Sequence, residues 1–182
     1  MVSYGIYAQM AANPALSAAS GVVMRSANFF FMEPVNDSPK HLHKMREVQK
    51  SGVDGFRHDA KLAVERGVNP SYGVQDGYEH LAPVIDTDVA IGWLMELVTA
   101  KGATLVTDTI HGDLLDAEPE LRSKYGVDAI VNATGLASAT AANDPTAHPS
   151  RGALIRVVND GKNFPKVEHA LTISADAHNP NE

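Results

Sequence analysis

The stretch Asp128-Ala129-Ile130-Val131-Asn132-Ala133-Thr134-Gly135 decides how this chain is read. A short continuous apolar run that ends in small polar residues describes a parallel strand buried on both faces, with its carboxyl end opening at a crevice. Ligands of open α/β sheets bind at such ends. The plainer alternative is a strand-to-helix junction that holds nothing, and the pattern alone leaves both open.

Working outward, residues 116–125 read as a helix with acidic residues in its first turn and Gly126 at its end. Residues 104–110 are rich in β-formers, so the order is strand, helix, strand. Further upstream, residues 83–85 lead into Asp86-Thr87, an N-cap for a helix that runs to Lys101 and closes at Gly102. That helix presents Ala90, Ile91, Trp93, Leu94, Leu97 and Val98, more than one apolar stripe, and is expected to be well buried. Two further strands, near 153–158 and 170–174, follow. The alternation from Leu81 onward points to crossover units and a parallel or mixed sheet.

The amino-terminal part has a different rhythm. Residues 3–13 suit a helix that Pro14 would stop, and residues 21–31 read as a strand through Val22, Val23, Phe29, Phe30 and Phe31. Asn36-Asp37-Ser38-Pro39 supplies a cap with proline at the first helical position, ahead of a polar surface helix over 40–50. A short helix over 59–65 ends at Gly67, and Asn69-Pro70 with Tyr72-Gly73 marks a loop.

With 182 residues and 44% hydrophobic content, the chain can bury a real core. A net charge of -7 and singly scattered Lys and Arg provide no basic surface for phosphates, so nucleic acid is not an expected partner. The absence of cysteine excludes disulfides, thiolate metal sites and cysteine nucleophiles. The first 24 residues carry no positive charge and no sustained apolar block, and no stretch approaches about 18 apolar residues, so no membrane span is expected. The expected location is the cytoplasm or the peroxisomal matrix, with no targeting signal in this sequence.

Several motifs are missing: G-x-G-x-x-G, a phosphate loop, G-x-S-x-G and H-E-x-x-H. His41-Leu42-His43 lacks a third ligand at a familiar spacing, and no metal is expected there. Asn132-Ala133-Thr134 matches a glycosylation pattern but lies in a strand expected to be buried. Asp113, Asp116, Glu118 and Glu120 suit a solvated helix N-terminus. What remains is the Asn132-Ala133-Thr134-Gly135 strand end, the Thr109-Ile110 strand end, and Arg151-Gly152-Ala153, which reads as a bend before a strand with Arg151 in an ion pair. Threonine can donate through its hydroxyl and amide, and glycine lets a ligand approach closely.

Taken together, residues Gly126 through Leu136, then Asp144-Pro145, Pro149 and Arg151-Gly152, resemble the D-amino-acid oxidase family of flavoproteins in order and spacing. His80-Leu81-Ala82-Pro83-Val84-Ile85-Asp86-Thr87, followed by Trp93-Leu94, is similar to the family's return from substrate domain to flavin domain. Gly52-Val53-Asp54-Gly55-Phe56-Arg57 and the strand from Val22 to Met32 are similar to parts of its substrate-domain sheet. The resemblance runs from about Ala11 to Ala177 and is strongest after His80.

The resemblance implies an α/β fold of mixed α+β character: part of a Rossmann-like FAD-binding domain joined to part of a mixed-sheet substrate domain. Residues 1–80 would be partial substrate domain, 81–150 partial FAD domain without its first strand-loop-helix, and 151–182 a return to the substrate domain. It implies FAD as cofactor, with Ile110, Thr134 and Gly135 as cofactor contacts, and oxidative deamination of a D-amino acid by oxygen. The family's G-x-G-x-x-G unit precedes the matching region, and its substrate-binding tyrosines and carboxylate-clamping arginine follow it. The chain is therefore expected to be truncated at both ends, to hold no assigned catalytic residue, and to work as a homodimer or with a companion chain.

Local departures accompany the match. Where the family usually has Thr-Gly-Leu-Gly-Ser or Ala-Arg-Glu-Leu, this chain has Leu136-Ala137-Ser138-Ala139-Thr140-Ala141, and His148 replaces a frequent tyrosine. A methyl group cannot replace an arginine's bidentate donors. A non-catalytic remnant acting as a binding or interaction module is the main alternative, and a D-aspartate or glycine oxidase type shares the same chemistry.

Overall fold

The run Asn28-Phe29-Phe30-Phe31 feeds two hydrophobic clusters, because alternation along a strand sends neighbouring side chains to opposite faces of a sheet. The computed structural model describes residues 2–149, 152 and 155–174. They divide into two units, one from the described residues of Met1–Ala103 and Asn159–Glu182, the other Thr104–Val158.

In the first unit, β1 (Val22–Phe31), β2 (Arg57–His58), β3 (Asp76–Ile85) and β4 (Ala170–Ser174) form one sheet in the order β2-β3-β1-β4. β1 runs antiparallel to β3 from Val22 opposite Ile85 to Phe31 opposite Asp76. β2 is antiparallel to β3, and β4 is parallel to β1. This mixed sheet, with helices around it, is an α/β fold.

Phe31 packs with Val35, Met45 and Tyr78, flanked by Phe29, Leu42 and Phe56. Phe30 turns the other way onto Leu62 and Ala63. The rings of Phe29 and Phe31 lie 5.2 and 5.6 Å from that of Tyr78, within the range of favourable aromatic pairing. Two helices close these clusters. α3 (Pro39–Lys50) begins with proline in its first turn after Ser38, as expected, and buries His41 and Met45. α4 (Leu62–Glu65) buries Leu62 and Ala63.

Before β1 the chain forms α1 (Val2–Ala12) and α2 (Pro14–Ser20). Pro14 does not simply stop the first helix. Asn13 takes an extended backbone and its side chain accepts from the Leu16 amide, so Pro14 starts a second helix at the position proline tolerates best. α5 (Thr87–Ala100) follows β3, capped by the Asp86 carboxylate, which accepts from the amides of Asp88 and Val89.

Beneath the aromatic clusters, charged side chains join the strands. Glu79 on β3 accepts from Ser26 Oγ at 3.0 Å, pairs with Arg57 Nε at 3.1 Å and with Arg66 NH2 at 2.5 Å. Arg66 also donates to Asn28 Oδ1, while Asn28 Nδ2 reaches the Ala170 carbonyl on β4. Asp76 accepts from the amides of Val35 and Gly77, each at 2.8 Å, and lies 3.0 Å from His58 Nε2. Burial opposes ionisation of Asp76, but the bonds from His58, Val35 and Gly77 outweigh it and hold its carboxyl below the ordinary value. The same balance holds for Glu79, where Arg66, Ser26 and Arg57 prevail over burial.

Three expected strands and one expected buried helix differ in the structure. Residues 104–110 and 128–134 are irregular and exposed, with Val131 87% accessible, and do not form strands. A strand exists only with a neighbour to bond, and no described residue pairs with these segments. Residues 155–158 are likewise irregular, while Ala153 and Leu154 lie outside the described residues. α5 has the expected bounds but no buried residue. In the second unit, α6 (Leu114–Tyr125) forms as expected, capped by Asp113 and closed by Gly126, although Pro119 lies inside it. α7 (Ser138–Ala141) is a single turn.

Two tests follow from this packing. A Cβ on Gly77 would lie 2.7 Å from Phe30 Cδ1 and 2.9 Å from the Phe29 carbonyl oxygen, so Gly77→Val should lower stability by about 2 kcal/mol in urea unfolding. Asp76 and Glu79 both have carboxyls that lose protons more readily in the folded chain, so the unfolded chain binds more protons as acid is added. Their contribution is complete above the unfolded carboxylate range, about pH 4, and is lost as pH falls through the lower folded values. Glu79→Gln should flatten part of that acid loss, measured as the unfolding midpoint against pH.

Candidate functional site

The sequence-derived cofactor contacts, Ile110, Thr134 and Gly135, all fall in the second unit. Ile110 is 42% exposed on the irregular segment before α6. That segment is tied to the far end of α6 through Asp108, which accepts from Lys124 Nζ at 2.7 Å, from the Tyr125 hydroxyl, and from the Thr109 amide. These donors, Lys124 foremost, hold the Asp108 carboxyl well below the usual carboxylate range. The contact fixes the height of the segment carrying Ile110 along α6.

After α6 the chain passes Asp128 and reaches a tight polar turn. Asn132 Oδ1 accepts from both the Thr134 amide at 3.1 Å and the Thr134 hydroxyl at 2.8 Å. Both donors that threonine could offer a ligand therefore point at Asn132. Gly135 follows with φ +58° and opens a 3-10 turn, Gly135–Ala137. A Cβ there would meet nothing within 4 Å, so glycine is favoured by the backbone angle rather than by crowding. The space beside this turn is open to an incoming group.

A shallow groove of about 300 Å³ runs next to the turn, lined by Leu114, Leu115, Glu118, Ile130, Asn132 and Ala142. The structure thus brings the Asn132 turn to the first turns of α6. Ile110 is not among the groove's lining. Asp144, part of the resemblance, accepts from the Thr146 hydroxyl at 2.6 Å and its amide at 2.9 Å, shaping the next loop. Arg151 and Ala153 lie outside the described residues. Asn132 is exposed, so burial gives no reason to dismiss its glycosylation pattern.

His41 and His43 part company: His41 is buried 4.6 Å from the Phe31 ring, and His43 is 75% exposed beside Glu47. Among the described residues, no group of three potential ligands could hold a metal. The polar group of Ser26, Asn28, Arg57, Arg66 and Glu79 was missed in the sequence. Its signal was there, as Asn28 and Glu79 interrupt apolar β runs, but pairing them requires the strand register.

No family model matches the chain. It is 29% identical over 112 residues to a protein of Rubrobacter xylanophilus named D-amino-acid oxidase, across 62% of this chain and 30% of that one. It is 27% identical over 140 residues to a D-amino-acid oxidase of Dictyostelium discoideum, across 77% of this chain and 35% of that one. The match thus spans about a third of the length of either curated relative. The chain is a distant relative of part of two proteins named D-amino-acid oxidase.

Proposed function

We propose that the chain is part of an FAD-dependent oxidoreductase of the D-amino-acid oxidase type. The observation that carries this reading is the distant similarity to two proteins of that name, over a region that includes most of the chain in the longer match. The structure offers a compatible local surface. Thr134 presents a hydroxyl and an amide on an exposed turn, and Gly135 leaves the approach to it open. Thr134 would donate to the cofactor once its bonds to Asn132 exchange, Gly135 would admit the cofactor close to the backbone, and Ile110 would add an apolar contact.

When bound, FAD would supply the redox chemistry, the two-electron oxidation of a D-amino acid by oxygen to a 2-oxo acid, ammonia and hydrogen peroxide. The chain's own residues orient and cover. Asn132 fixes where the Thr134 donors start, and Asp108 with Lys124 and Tyr125 positions the segment of Ile110. None of these residues moves a proton in the reaction. No helix among the described residues is long and apolar enough to cross a membrane.

A second reading, a non-catalytic binding or interaction module, is favoured by one observation: no described residue of the second unit is buried. The replacement of glycine, arginine and acid by Ala137, Ala139 and Thr140 supports the same view.

Titration of the 182-residue chain with FAD, followed by flavin fluorescence quenching, separates the two. Saturable binding at micromolar concentration or tighter is expected on the oxidase reading. In that case Thr134→Leu should weaken binding about tenfold, through a lost donor and added bulk. Unchanged affinity would remove Thr134 from the site. No binding by a chain shown by circular dichroism to be folded would favour the interaction module.

A further inference from the structure

Read along the chain the basic residues are scattered, but α3 gathers several of them. It carries Lys40, Lys44, Arg46 and Lys50 against one acid, Glu47, in a chain of net charge -7. With 3.6 residues per turn, Lys40, His43, Lys44, Glu47 and Lys50 fall on the side away from Met45, and Arg46 lies at the edge of that side. All of these outward residues are exposed. His41 and Met45 are buried against Phe31, so the apolar side of α3 is already in use and holds the basic side outward.

Elsewhere the surplus of acid neutralises cations locally. Arg57 and Arg66 pair with Glu79, Arg122 with Glu118, Lys124 with Asp108, and Lys162 with Asp160. Lys44, Arg46 and Lys50 make no ion pair among the described residues. Glu47, the acid on their helix, lies 3.4 Å from His43, and Glu33 of the preceding segment lies 3.6 Å from His41 on the buried side. An acidic chain thus keeps three cations uncovered on one helix.

The length of that helix selects the ligand. α3 has 12 residues, or about 18 Å, and an extended chain rising about 3.3 Å per residue covers it with about six residues. A nucleic-acid backbone or a bilayer surface would run past α3 onto the acidic remainder of the chain, while a short carboxylate-rich segment stays within about 8 Å, one screening length, of the cations. A helix that lies on a bilayer also needs a free apolar side, and that of α3 is buried.

We propose that the outer face of α3 is a docking surface for a short acidic segment of a partner protein, with its carboxylates opposite Lys44, Arg46 and Lys50. The proposal goes beyond the flavin reading and uses none of Ile110, Thr134 or Gly135, so failure of one leaves the other standing.

The probe is fluorescently labelled hexaglutamate, titrated into the full chain and followed by anisotropy, with amide NMR shifts locating the contact. At an ionic strength of about 0.15 M the dissociation constant should fall on the order of 100 μM to 1 mM, because each exposed charge pair contributes little. Shifts should centre on α3, and hexaglutamine should not bind. Lys44→Gln, Arg46→Gln and Lys50→Gln together should weaken binding about tenfold or more. These positions are exposed and glutamine is as good a helix former, so circular dichroism should be unchanged. Lys61→Gln with Lys101→Gln, which removes two exposed cations at the ends of α4 and α5, should alter binding by less than about twofold. No binding by the folded chain, binding that survives the triple substitution, shifts centred away from α3, or tighter binding to duplex DNA or phosphatidylserine vesicles at the same salt would overturn the proposal.

Discussion

The antiparallel pairing of β1 with β3 is the constraint on which the first unit depends. It runs the full length of both strands, from Val22 opposite Ile85 to Phe31 opposite Asp76. That register sets Phe29 beside Tyr78 and Phe30 over Gly77, so both hydrophobic clusters are built from one alignment. A slip of one residue would exchange the faces of Phe30 and Phe31 and leave α3 and α4 without their floors. The same register brings Ser26 and Asn28 within reach of Glu79 and Arg66. Asn28 then extends the network to β4 through the Ala170 carbonyl.

The second unit is held by different forces. Most of its side-chain bonds are short in sequence, as Asp113 caps α6, Asn132 binds Thr134 and Asp144 binds Thr146, while Asp108 reaches across α6 to Lys124 and Tyr125 on its surface. Such exposed local bonds contribute little beside the backbone entropy lost in ordering the chain. No described side chain there is buried to supply the larger hydrophobic term. The proposed cofactor contacts are therefore placed on a scaffold with no buried residue of its own among the described residues. The proposed flavin binding is expected to be coupled to organisation of this unit.

The contrast has a single physical basis. β propensity and apolar runs describe what a segment will do once it has a neighbour, and helical periodicity describes which face will be covered once there is something to cover it. β1 and β3 find each other within the chain. Residues 104–110 and 128–134 have equally β-prone sequence and find no partner among the described residues. α5 has the composition of a buried helix and stays exposed for the same reason.

By itself the sequence determined the helices whose ends are set locally, α3 after Ser38-Pro39, α5 after Asp86 and α6 before Gly126, and it marked the strands at Val22 and Ala170 by their β-prone residues. Caps and left-handed glycines act within one turn, so their residues are readable one at a time. The residue pattern also carried the likeness to proteins named D-amino-acid oxidase, and with it Thr134 and Gly135 as a turn of interest. Only the tertiary structure decided that β3 extends back to Asp76, that Glu79 gathers Arg57 and Arg66, and that Thr134 spends both donors on Asn132. It also decided that the opening stretch, Asp128 to Gly135, is not a buried strand here. Burial and pairing belong to two surfaces at once, and one segment's sequence specifies only its own.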